Sequence, residues 1–168
     1  MNPRVLLALV LLALTIGCNG NEPSAFPDAP EGVVLFSIDP TYRSKELGNL
    51  SPDQEKAEKL HGYRLLGKTE ITDGTVRRKV VTAVKEAIKN APPNPAKCFD
   101  PRHVLRITKA GKTIDLVICF ACKQYEIFQP DSEVHGQAKT IAADAQPALD
   151  QVLTDAGVPL APSVLTRN

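Results

Sequence analysis

Tryptophan is missing from this 168-residue chain, and aromatic side chains make up only 5% of it. Few flat rings are therefore left for bases or sugars to stack on. An excess of either charge is missing too, since 20 Lys+Arg stand against 19 Asp+Glu. Nucleic-acid-binding domains ordinarily show a basic excess on one face. Taken together, these absences exclude nucleic acid as the expected partner. The catalytic patterns G-x-S-x-G, H-E-x-x-H and G-x-G-x-x-G do not occur, so no hydrolase elbow, zinc-peptidase helix or dinucleotide fingerprint is expected. Long hydrophobic runs are confined to one place, Val5 to Leu14. A mature membrane-crossing helix needs about 20 apolar residues, and this run falls short. Cysteine is scarce as well, at four residues: Cys18, Cys98, Cys119 and Cys122.

What is present starts at the N-terminus. Arg4 precedes the apolar run, which gives way to Thr15-Ile16-Gly17-Cys18. A short basic start, an apolar middle and small residues before a break form the grammar of an export signal. The Thr-Ile-Gly-Cys stretch resembles the lipobox of bacterial lipoprotein precursors, with Thr15 where that family usually has leucine. The resemblance implies cleavage between Gly17 and Cys18 and a thioether-linked diacylglycerol with an acylated amine on Cys18. Several acyl chains anchor stably where one does not, because each buried methylene contributes about 0.8 kcal/mol. An ordinary secretory signal or an uncut anchor would share the same apolar segment. Asn19 is not the aspartate that retains enteric lipoproteins at the inner membrane, which favours the outer membrane. The expected location is thus the bacterial cell envelope, with the membrane reached through lipid on Cys18.

Losing residues 1–17 removes Arg4 and no acidic group, so the exported part of the 168-residue chain is charge-balanced. Residues 18–32, rich in Pro, Gly and Asn, read as the lipid-bearing cysteine and a flexible tether. Residues 33–156 read as one domain and 157–168 as a surface tail. GVVLFSIDP predicts a buried strand closed by Asp39-Pro40. Ser51, Pro52 and Gln54 predict a capping box opening a short helix. The run 61–71 reads as extended, with Tyr63, Leu65 and Ile71 on one face and Gly67 a possible bulge. Residues 75–91 form the clearest helical pattern, with Val76, Val80, Val81, Val84 and Ile88 inward and Arg77, Arg78, Lys85 and Lys89 toward water. Asp73 is its expected cap, and Pro92-Pro93 forbids continuation. QYEIF, 124–128, predicts a strand. A last helix, 136–157, should bury Ile141, Ala145, Leu149, Val152 and Leu153 and kink at Pro147. The fold class is α+β: a mainly antiparallel sheet of about four strands with helices on one face.

VLRITK and KTIDLVICF flank Ala110-Gly111, which fits a two-residue hairpin turn. That register places Arg106 opposite Asp115, Leu105 opposite Leu116, Ile107 opposite Ile114, His103 opposite Ile118 and Arg102 opposite Cys119. His103 then faces the apolar side, as a hydrogen-bonded core residue. Alternation along a strand sends Cys119 and Cys122 to opposite faces. For the cluster of Cys98, His103, Cys119 and Cys122, a structural disulfide is the favoured reading, from Cys98 to either Cys119 or Cys122. The alternatives are a Cys₃His zinc site, a thiol-redox centre, or a nucleophile with His103 or His135 as base. No cofactor is expected on the favoured reading; zinc is the cofactor of the alternative.

The stretch CF-D-PRH…DLVICF-A-C, together with GYRLLGKTEI, resembles a group of bacterial exported proteins and lipoproteins over residues 33–128. That resemblance implies no activity and no site residues. The expectation is a lipid-anchored binding or interaction module, not an enzyme, with a protein or small-molecule partner the residues do not identify.

Overall fold

In the computed structural model, which describes residues 29–41, 56–129 and 138–162, β4 (His103–Lys109) and β5 (Lys112–Cys119) form the expected hairpin. Its pairs are the expected ones from His103 with Ile118 through Arg106 with Asp115 to Ile107 with Ile114. Ala110 and Gly111 turn the chain with φ of 50° and 73°, the paired positive values that match the twist of flanking strands.

Around this hairpin the sheet has seven strands rather than four, in the order β2-β3-β1-β4-β5-β6-β7. β1 is Gly32–Asp39, β3 is Tyr63–Glu70 and β6 is Gln124–Phe128. The edges are two-residue strands, β2 (Lys59–Leu60) and β7 (Lys139–Thr140), too short for any period to register in the sequence. All neighbours are antiparallel. α1 (Gly74–Lys89) and α2 (Gln146–Asp155) pack on one face, over Val33, Leu35, Leu105, Ile107, Leu116 and Ile118. The α+β class holds. The Ser51 capping box lies outside the described residues, and no described helix is long and apolar enough to cross a membrane.

α1 is capped as expected: Asp73 accepts from the backbone N–H groups of Thr75 and Val76, each at 2.8 Å. The buried stripe is Val80, Val81, Val84 and Ala87, whereas Val76 is exposed and Ile88 half-buried. The helix is therefore rotated toward its C-terminal Ala87, whose carbonyl receives Ala142 N–H at 2.8 Å. Arg77 is half-buried rather than free in water. Its guanidinium donates to the carbonyls of Glu31 (2.7 Å), Thr72 (3.0 Å) and Ile71 (3.3 Å), fastening the start of α1 to the chain that leads into β1. In the last helix Pro147 produces no kink, because it sits in the first turn of α2, where its missing N–H has no helical partner to lose. The residues before it form β7 and a 3₁₀ turn, Ala143–Ala145. Ile141, Ala145, Leu149 and Leu153 are buried as expected, and Val152 only half so.

The second face of the sheet is concave. β1 pairs with β3 as Ser37 to Gly67 and then Ile38 to Leu65, leaving Leu66 as the extra residue of a bulge. A bulge bends its strand and reverses the side-chain parity beyond it. This is why Tyr63 and Leu65 join Phe36, Ile38, Val104 and Val117 in the concave cluster, while Ile71 joins the helix-side core. The expectation of one shared face fails at that residue. Gly67 flanks the bulge for a second reason: a Cβ there would lie 2.9 Å from Val158 Cγ1. Val158 is delivered by the end of α2, where Gly157 at φ 69° and the Val158 N–H to Leu153 carbonyl bond (2.9 Å) close the helix in a Schellman-type turn.

Gly67→Ala should therefore lower stability by about 1–3 kcal/mol, the usual cost of overpacking. Urea unfolding measures it, and adding Val158→Ala should recover part of the loss despite being a truncation.

Candidate functional site

Asp115 is the only charged residue in the apolar run Ile114–Phe120 and is 1% exposed. Burying a carboxylate demands partners. Arg106, directly opposite on β4, supplies two parallel bonds: Nε to Oδ1 and Nη2 to Oδ2, both 2.7 Å. The same guanidinium lies over the Phe36 ring, 5.0 Å from its centroid. The third partner comes from far away. His61 Nε2 donates to Asp115 Oδ2 at 2.8 Å, and its ring stacks on Phe128 with centroids 4.1 Å apart. His61 stands in the β2–β3 turn, with φ of 52° beside Gly62 at 83°, a left-handed conformation that histidine tolerates better than most residues.

In a flat sheet β3 and β5, separated by β1 and β4, would be roughly 14 Å apart at about 4.8 Å per strand. A direct contact from the β2–β3 turn to β5 and β6 thus requires the sheet to curl into a half-barrel. The Leu66 bulge provides the bend. Burial pushes the Asp115 carboxyl up, but the bonds from Arg106 and His61 outweigh it, so the group is held below the ordinary carboxylate value. Arg106 is correspondingly raised, first through its bonds to Asp115.

The helix-covered face carries a second histidine–carboxylate pair. His103 is 3% exposed, and its Nε2 donates to Asp150 Oδ1 on α2 at 2.8 Å. Gln146 Nε2 donates to the other oxygen at 3.2 Å, and Phe120 meets the imidazole edge-on at 5.5 Å. The expected core role of His103 is what the structure has, with α2 as the source of its partner. His103 Nδ1 is buried with no partner among the described residues. Burial raises the Asp150 carboxyl, yet His103 and Gln146 bring it below the ordinary value.

The cysteines separate from this histidine. Cys98 is bonded to Cys122, with Cα atoms 5.6 Å apart, within the usual span for a disulfide. Cys122 is not on a strand continuing past Cys119: Phe120 to Lys123 form a turn closed by Lys123 N–H to the Phe120 carbonyl at 3.1 Å. The expected division of Cys119 and Cys122 between sheet faces is replaced by this turn, in which Cys122 N–H donates to Cys119 Sγ at 3.2 Å. Cys119 is free and buried, and burial pushes its thiol up. His103 is bonded to Asp150 apart from the three cysteines, Cys98 and Cys122 are joined to each other, and no described group of three or more His, Cys, Asp or Glu could hold a metal ion. The Cys₃His zinc expectation is corrected accordingly. Cys18 and His135 lie outside the described residues.

Sequence reasoning finds Arg106 with Asp115 but misses His61 and Asp150. No local signal marks His61, whereas for Asp115 the signal was one acid inside TIDLVICF. Gly62 to Thr69, GYRLLGKT, also matches the spacing of a phosphate-binding loop, G-x-x-x-x-G-K-T. The structure puts Tyr63–Glu70 in β3, with its backbone groups paired to β1, so it builds no cradle at a helix N-terminus. Comparisons with family models, curated proteins and solved structures return no match.

Asp115→Ala should cost about 3 kcal/mol, the low end for breaking a buried pair because Arg106 keeps contact with water; chemical unfolding reads it. A pH series supplies a second check. Asp39, Asp115 and Asp150 are all held below the ordinary carboxylate value. Their contribution is therefore complete above about pH 4 and drains away as pH falls through the folded-state values. Thermal unfolding from pH 7 to 3 should show a steep loss that Asp115→Asn flattens.

Proposed function

We propose that this chain is a lipid-anchored protein of the bacterial cell envelope whose domain works by binding a protein or small-molecule partner. The observation that carries the proposal is the Cys98–Cys122 disulfide, because such bonds persist in oxidising, exported settings and are rare in the cytosol. It agrees with the export signal and with Cys18 as the lipid-bearing residue.

Binding is preferred to catalysis on the disposition of the reactive groups. The Nε2 atoms of His61 and His103 are each committed to a carboxylate. A carboxylate-held imidazole becomes a general base when a nucleophile's proton lies within hydrogen-bond reach. Among the described residues no serine, threonine or cysteine hydrogen-bonds to either ring. The buried Cys119 thiol, pushed up by desolvation, is not presented to an external substrate as the low-pKa exposed thiol of a redox enzyme is. Both histidine pairs instead serve as clamps that rigidify the sheet, a property suited to presenting a fixed surface.

Replacing Cys18 with Ala in a bacterial host tests the anchor. The variant should fail to incorporate labelled palmitate and should move from the membrane to the soluble envelope fraction. Unchanged retention in membranes would sink the lipid-anchor reading and point to an uncut N-terminal helix.

A further inference from the structure

The third cysteine sits where the disulfide's two chain segments meet. Cys119 Sγ receives the N–H of Cys122 at 3.2 Å and lies near Asp100, two residues beyond Cys98. Burial pushes this thiol up and the Asp100 charge adds to that, while the Cys122 N–H bond and the Arg102 charge work in the opposite direction, so its thiolate is a minor form that grows with pH. The two sulfurs of the bridge differ in access. Cys122 is 1% exposed, whereas Cys98 lies on the surface.

The segment holding Cys98 does not depend on the bridge alone. Ala96 N–H donates to the Cys122 carbonyl at 3.1 Å. Gln124 Nε2 donates to the Cys98 carbonyl at 2.8 Å and also to the Ala96 carbonyl. These bonds tie residues 96–98 to 122–124 whichever sulfur Cys122 is joined to.

We infer that this cluster is an internal thiol–disulfide exchange site, in which Cys119 displaces Cys98 from Cys122 and so moves the free thiol from the core to the exposed Cys98. The step is balanced within the chain. Cys119 Sγ loses its proton to solvent and attacks Cys122 Sγ; the Cys119–Cys122 bond forms as the Cys98–Cys122 bond breaks. Cys98 leaves as a thiolate and takes up a proton, so no electrons enter or leave. The ligand class it would then engage is a disulfide on another molecule, opened by the Cys98 thiolate with one of the partner's sulfurs departing as thiolate. This inference does not rest on the lipid anchor, because Cys18 takes no part.

The test uses the folded full chain carrying Cys18→Ala, exposed to iodoacetamide between pH 7 and 8.5 and then mapped by mass spectrometry without reduction. Exchange predicts alkylated Cys98 together with a Cys119–Cys122 disulfide. Labelling should accelerate by about tenfold per pH unit while the attacking group is mostly thiol. Alkylation of Cys119 alone, or no alkylation until denaturant is added, would overturn the inference. In Cys119→Ser the Cys98–Cys122 bridge should persist and Cys98 labelling should stop. Continued labelling of Cys98 in that variant would trace its thiol to reduction instead, and would equally overturn it.

Discussion

One buried carboxylate sets the shape of this molecule. Asp115 stands in the middle of β5 with almost no contact with water, and an isolated charge there would be untenable. Arg106 alone could neutralise it across one strand gap. The addition of His61 turns a local pair into a link between strands that are not neighbours in the sheet. Curling of the sheet, the stacking of His61 on Phe128 and the enclosure of Phe36 and Val117 all accompany that link. The Leu66 bulge bends β3 and the Asp115 contacts span the curled sheet.

The opposite face repeats the device on a different scale. His103 reaches from β4 to Asp150 on α2, so the helix layer is joined to the sheet by a polar bond as well as by Leu149 and Leu153. The two clusters lie on either side of the same two central strands, β4 and β5. Apolar packing can slide by a rotamer with little penalty, but a buried histidine–carboxylate pair has one acceptable geometry. The fold thus has its register, its curl and its helix docking each fixed by a directional contact.

How legible this was in the sequence depends on the range of each interaction. The β4–β5 hairpin could be read to the residue, because its turn, its charge pair and its apolar pairs lie within a few positions of one another. α1 could be read from Asp73 and the valine period, apart from a rotation set by packing at Ala87. Elsewhere local signals pointed two ways. Pro147 marks a helix start as readily as a kink, and only the short β7 strand before it decides. Gly67 suggested a bulge, yet the parity flip that sends Ile71 to the other core needs the partner register on β1. The pairing of Cys98 with Cys122 depended on a turn at Phe120–Lys123 whose residues carry no strong turn signature. His61 was out of reach, since its partner lies 54 positions away and nothing local announces it.

The placement of β1 bears on how the domain would carry a load. The chain enters it at Gly32, paired with Thr108, while the other end of the described chain is held where Arg102 Nε meets the Pro162 carbonyl at 3.1 Å. Arg102 also receives Ile38 N–H on its carbonyl at 3.0 Å, at the far end of β1. Tension between these two points runs along the strand axis. Because β1 lies between β3 and β4, such a pull shears two rows of hydrogen bonds together instead of peeling one row bond by bond. Arg77, gripping the Glu31 carbonyl just outside the strand, is the first contact such a force would meet.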